Sequence, residues 1–206
     1  SSDLKILWRK YMYIVLEGID GVGKTTQTEK LKEWLEKRGF SVKTIVEPTD
    51  SDIGKIIREE LLKPEATSDT NQQMLALLFA ADRLTLKDEI NQVKNNQQKI
   101  LISDRSFYSS ITYQNSTTIE PEWIYKINKH TPRPDLTIIL DIDEDEALKR
   151  CDKIDTFENK EFLEKTRENY LKLVKTEKNI VKIDATPTED VVQDEIRNQI
   201  IKYLKL

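Results

Sequence analysis

The stretch Gly18-Ile19-Asp20-Gly21-Val22-Gly23-Lys24-Thr25 reads G-x-x-x-x-G-K-T, the phosphate-binding P-loop. Its neighbours supply the context the motif needs. Tyr11 to Leu16 is apolar and partly β-branched, which predicts a buried strand. Thr25 to Arg38 carries Leu31, Trp34 and Leu35 at helical spacing, with Gly39 placed as a stop. The chain has only 5 glycines, and Gly18, Gly21 and Gly23 all fall in this turn. Without a Cβ, backbone N–H groups can converge on phosphate oxygens. The helix start adds partial positive charge. Lys24 is expected on the β- and γ-phosphates, and the Thr25 hydroxyl on Mg²⁺.

Working outward, apolar runs recur at Tyr13–Leu16, Val42–Val46, Ile100–Ile102, Leu136–Leu140 and Ile180–Ile183, with amphipathic stretches between them. Strands alternating with helices predict an α/β fold. The expectation is a three-layer P-loop fold: a five-stranded parallel sheet with helices on both faces, built as one domain over residues 1–206. Residues 68–97 read as one long helix. Ligands in such sheets bind at the carboxyl ends of the strands. Those ends carry Glu17, Glu47-Pro48-Thr49-Asp50, Asp104-Arg105, Asp141-Ile142-Asp143 and Asp184-Ala185-Thr186. At such an end Asp104 can hold Mg²⁺ or its waters, and Arg105 can clamp phosphate. Phe79 and Arg83 share one helix face, an aromatic surface beside a planar donor.

Composition narrows the function. A net charge of −4 argues against binding polymeric nucleic acid. No apolar run approaches the roughly 20 residues of a membrane span. Cys151 is the only cysteine, which fits a reducing, cytoplasmic setting. His130 is the only histidine and reads as a surface or packing residue, so histidine metal clusters and Ser-His-Asp triads are unsupported.

Four blocks together resemble the thymidylate kinases. They are the P-loop stretch Val15–Thr26, Leu78-Phe79-Ala80-Ala81-Asp82-Arg83, Asp104-Arg105 through Ser109-Ser110 to Tyr113-Gln114, and Ile183-Asp184-Ala185-Thr186. The resemblance runs from about Tyr11 to Leu206. It implies transfer of a phosphoryl group from ATP to dTMP with Mg²⁺, giving dTDP and ADP for dTTP synthesis, and a homodimer. It puts ATP on Gly18, Gly21, Val22, Gly23, Lys24, Thr25 and Thr26, with Arg150 and Thr186 at the adenine. It puts Mg²⁺ at Thr25 and Asp104. For dTMP it implies Asp20 at the 3′-hydroxyl, Phe79 stacked on thymine and Arg83 at O4. Ser109, Ser110 and Gln114 line the base, Tyr113 lies under the sugar, and Arg105 binds the phosphate. Pro48, in a cis bond after Glu47, borders the phosphate, Arg58 is a further phosphate ligand, and Tyr170 closes over the acceptor.

The chain departs from the family pattern at Ser106, usually Tyr or His, and at Leu86, often His. Gly21 stands where some members have Arg in the loop, and Thr156 where others have Arg in the lid, about residues 150–158. Lys153 is therefore expected as the main transition-state cation, beside Lys24, Arg105, Asp104 and Arg150. Two other readings compete. One is a different P-loop nucleotide or deoxynucleoside kinase. The other is a nucleotide-binding module with little turnover, although no N-K-x-D signal of a GTP switch is present.

Overall fold

Each apolar run becomes a strand, and the run before the P-loop takes the centre of the sheet. The computed structural model describes residues 11–94, 99–114, 119–150 and 160–204. The strands are β1 (Tyr11–Glu17), β2 (Ser41–Val46), β3 (Lys99–Asp104), β4 (Leu136–Asp141) and β5 (Ile180–Asp184). Their order is β2-β3-β1-β4-β5, and every pairing is parallel. The expected α/β fold with its five-stranded parallel sheet is what forms.

Period-2 alternation divides the core between the two faces. Met12, Ile14 and Leu16 point into one cluster, with Leu31 and Trp34 of α1 (Lys24–Glu36) and Ile196 and Ile200 of α9 (Glu189–Leu204). Tyr13 and Val15 point into the other, with Leu101 and Ile45. Ile14, Val15 and Leu16 are fully buried because helices cover both sides. That is why β1 reads as a continuous apolar run rather than an alternating one.

The remaining helices are α2 (Asp52–Leu61), α3 (Asp69–Thr85), α4 (Lys87–Lys94), α5 (Phe107–Tyr113), α6 (Pro121–Ile127), α7 (Glu144–Arg150) and α8 (Lys160–Thr176). The long helix expected over 68–97 is in fact α3 and α4, broken at Leu86. The Leu86 N–H bonds to the Arg83 carbonyl, and the Thr85 hydroxyl donates to the Asp82 carbonyl. Such local bonds compete with the helical ladder. The bend lets Leu86, Ile90 and Val93 pack on Tyr13 and Val15. No glycine or proline marks it.

Two glycines are dictated by close approach. A Cβ on Gly18 would lie 2.6 Å from the Leu140 carbonyl oxygen of β4. One on Gly54 would lie 1.9 Å from the Thr49 carbonyl oxygen, so α2 can seat against the loop after β2 only through a glycine. Among the described residues, no helix is long and apolar enough to cross a membrane.

Candidate active site

The turn after β1 leaves the sheet between β3 and β4, where the strand order reverses. Gly18, Gly21 and Gly23 all take positive φ, at 144°, 78° and 91°. Lys24 folds back over the loop, with Nζ donating to the carbonyls of Gly18 (3.1 Å) and Ile19 (3.0 Å). Burial, and then the Arg105 charge, push the Lys24 ammonium below its ordinary pKa. The Thr25 hydroxyl donates to Asp104 Oδ2 at 3.0 Å, joining the loop to the end of β3.

Thr25 and Asp104 are hard oxygen donors of the kind Mg²⁺ takes. Among the described residues, no group of three or more His, Cys, Asp or Glu side chains could hold a metal alone. Mg²⁺ characteristically takes one or two protein oxygens and completes its shell with phosphate and water. The pair fits that mode.

On one side of the loop is a cavity of about 550 Å³. It is lined by Gly21, Val22, Gly23 and Thr26 of the loop and by Arg150 and Thr186. The Arg150 guanidinium donates to the carbonyls of Ala185 (3.2 Å) and Thr186 (3.4 Å), which fixes it at the cavity edge.

Outside the lining of that cavity is Arg105, a non-glycine residue with φ of 75°. Its N–H donates to the Leu16 carbonyl at 3.0 Å. Its guanidinium donates to Asp20, to the Tyr113 hydroxyl (3.1 Å) and to Ser109 Oγ (3.1 Å), and lies over the Tyr113 ring. The Tyr113 hydroxyl donates to the other Asp20 oxygen at 3.0 Å. Burial by itself would raise the Asp20 carboxyl, but Arg105 and Lys24 outweigh it and hold it down at about 2.

Farther from the loop, Arg83 is fully buried. It donates to Glu47 (2.6 Å), Asn128 Oδ1 (3.2 Å) and the Ser106 carbonyl (3.1 Å). A guanidinium has five N–H donors, so these bonds do not exhaust it. Phe79 lies beside it, its ring centroid 5.4 Å from Cζ. Ser110 Oγ and Gln114 Oε1 are buried without a hydrogen-bond partner. Native structures rarely leave such atoms orphaned, and a binding site is one place they occur.

The Glu47–Pro48 bond is cis, as the resemblance implied. Asp82 accepts from the Thr49 N–H (2.8 Å), the Thr49 hydroxyl (2.6 Å) and the Ser51 hydroxyl (2.6 Å). Arg58 is exposed and donates to the carbonyls of Pro48 (2.7 Å) and Thr49 (2.8 Å). Its guanidinium braces the loop.

Tyr170, expected to close over the acceptor, is 1% exposed, with its hydroxyl on Glu17 (2.8 Å) and Ser109 (3.1 Å). His130 is exposed, as expected. Lys153 and Thr156 lie outside the described residues, as does nearly all of the expected lid. Sequence reasoning assigned no role to Glu17, Glu47, Asp82 or Asn128. Asp82 sits inside the Leu78–Arg83 block and could have been found there; Asn128 carries no signal.

A family model described as thymidylate kinase matches residues 16–196. The chain belongs to the thymidylate kinase family. It is similar to a probable thymidylate kinase of Methanobrevibacter smithii, 47% identical over 194 residues, 94% of this chain and 96% of that protein. A probable thymidylate kinase of Methanothermobacter thermautotrophicus is 44% identical over 90% of this chain and 92% of its own. Among solved structures, thymidylate kinase of Candida albicans matches with a TM-score of 0.76 at 29% identity, over 95% of this chain and 93% of that one. Broad substrate specificity is reported for that thymidylate kinase.

Proposed function

We propose that this chain transfers the γ-phosphoryl group of ATP to dTMP, giving dTDP and ADP, across the P-loop turn. One observation carries the reading: the consecutive residues Asp20 and Gly21 belong to different half-sites. Gly21 lines the cavity that ends in Arg150 and Thr186. Asp20 faces Arg105 and Tyr113. A donor nucleotide on one side and an acceptor on the other would meet at Lys24.

On the donor side, the loop N–H groups of Gly18 to Thr26 hold the triphosphate, and Arg150 and Thr186 border the adenine. Thr25 and Asp104 would hold Mg²⁺. When bound, the ion neutralises phosphate charge and orients the oxygens. On the acceptor side, Arg105 takes the dTMP phosphate and Asp20 turns to the 3′-hydroxyl. Phe79 stacks on the base, and a spare Arg83 N–H reaches O4. Ser110 and Gln114 supply the orphaned groups to the base edge, Tyr113 lies under the sugar, and Pro48 with Arg58 walls the phosphate end. The acceptor phosphate is already an oxygen nucleophile, so positioning and cations do most of the work. Lys24 neutralises the bridging charge, and Lys153 supplies the equatorial cation that neither Gly21 nor Thr156 can.

The chain works as one domain and as a homodimer. Leu77 and Leu84 of α3 are 51% and 44% exposed and lie seven residues apart on one helix face. Leu84→Glu should shift the mass measured by light scattering from dimer to monomer; an unchanged mass removes α3 from the interface. A cytoplasmic location fits the nucleotide substrates and the single cysteine of the sequence. An ADP-release assay with ATP, Mg²⁺ and a panel of nucleoside monophosphates tests the activity. Turnover that does not depend on dTMP overturns it.

A further inference from the structure

Glu17 ends β1 fully buried, and no step above uses it. A carboxylate in that position is unfavourable unless its oxygens are satisfied. Its partners are three hydroxyls. Ser106 Oγ donates to Oε1 at 2.7 Å. Ser109 Oγ (2.7 Å) and the Tyr170 hydroxyl (2.8 Å) donate to Oε2. Ser106 caps α5, Ser109 lies in its first turn, and Tyr170 comes from α8.

The direction of these bonds matters. A serine hydroxyl has one hydrogen. Ser109 gives it to Glu17, which leaves its lone pairs for Arg105 Nη1 at 3.1 Å. The carboxylate therefore sets which way Ser109 points, and Ser109 can then only accept from the guanidinium. Ser106 and the positive-φ Arg105 are neighbours in the same turn, so Glu17 also holds the backbone that launches the arginine. At Ser106 the family usually has a bulkier Tyr or His; the serine hydroxyl is what reaches Glu17 here.

We propose that Glu17 is a positioning residue that, through Ser109 and Ser106, sets the orientation of the Arg105 guanidinium at the acceptor-phosphate subsite. This rests on the reading of Arg105 as the ligand of the dTMP phosphate. Glu17→Gln removes the charge and leaves one acceptor oxygen for three hydroxyl donors, the other position becoming an N–H₂ donor. In either orientation of the amide, Ser106 or Ser109 loses the acceptor that fixes it, and Arg105 loses that support.

Calorimetric binding of dTMP and of thymidine, which lacks the phosphate, separates positioning from simple structural support. Arg105→Ala should collapse the preference for dTMP over thymidine; a preference that survives it overturns the reading of Arg105 itself. Given that collapse, Glu17→Gln should weaken dTMP about tenfold or more, the scale of one charge-assisted hydrogen bond, and leave thymidine within about twofold. The KM for ATP should also stay within about twofold, since its cavity lies across the loop. Equal weakening of both ligands, or of neither, overturns the proposal. Should Glu17→Gln not fold, Ser106→Ala and Tyr170→Phe each remove one hydroxyl and should lower the dTMP-to-thymidine ratio about threefold. An unchanged ratio in both overturns it equally.

Discussion

Lys24→Met tests the chemistry and the packing of the loop at once. The side chain is 7% exposed and makes two carbonyl contacts. Its nearest carboxylate, Asp20, stands at 3.9 Å and is already engaged by Arg105 and Tyr113. Burial and the Arg105 charge both disfavour the ammonium there. Methionine is apolar and of similar length. It removes a poorly paired cation and gives up two bonds to carbonyls at the edge of a cleft. These effects oppose each other, so the stability change should stay within about 1.5 kcal/mol. For a chain of this size that is about 3–6 °C in Tm. Turnover should behave differently. One such electrostatic contact is worth about 10²–10³ in rate, or roughly 2.7–4 kcal/mol of barrier. The assay pairs a thermal melt with steady-state ADP release under saturating ATP and dTMP. A folded Lys24→Met protein with kcat within about threefold of the parent would refute the role given to Lys24. A loss of kcat that merely tracks unfolding would refute the packing argument.

Three further outcomes follow from the geometry. dTMP should exceed dCMP in kcat/KM by about 1–3 kcal/mol, because the cytosine amino group leaves an Arg83 N–H unmatched, while dUMP should trail by only about 1 kcal/mol for its missing methyl; equal efficiency on dCMP and dTMP contradicts the base pocket. Asp20 is held at about 2, below its ordinary 3.8, so its contribution is present above pH 3.8 and is lost as pH falls toward 2. The melting temperatures of Asp20→Asn and the parent should converge over that window, and a gap that widens there counts against the Asp20–Arg105 pair. Gly54→Ala drives a Cβ against the Thr49 carbonyl and should cost about 1–3 kcal/mol, roughly 2–12 °C in Tm; an unchanged melt means that α2 does not need that close approach.

The sheet was legible because burial on both faces leaves unbroken apolar runs, and the P-loop was legible because its glycines are spaced by backbone geometry. The break at Leu86 was not. Its cause is a buried face that must turn onto β1, and no local breaker announces that. The site divides in the same way. Asp104 and Arg105 lie at the end of β3, and Lys24 and Thr25 open the helix that follows the P-loop, places where topology puts chemistry. Glu17 was visible at such an end, but its work depends on three hydroxyls from distant segments. Asn128 reaches Arg83 from the end of α6, a contact that exists only in three dimensions. The bonds of the Tyr170 hydroxyl to Glu17 and Ser109 are of the same kind.

Asp82 and Arg83 are adjacent on α3, yet both grip the loop after β2, one through Thr49 and Ser51 and the other through Glu47. That loop is therefore not a free hinge. It is bolted at successive points to a helix more than thirty residues away in the chain. Any sliding or rotation of α3 is transmitted directly to Pro48, and any force on Pro48 is felt along α3. Since Leu77 and Leu84 lie on the outer face of the same helix, α3 is a mechanical linkage between the outer surface of the molecule and one wall of its cleft.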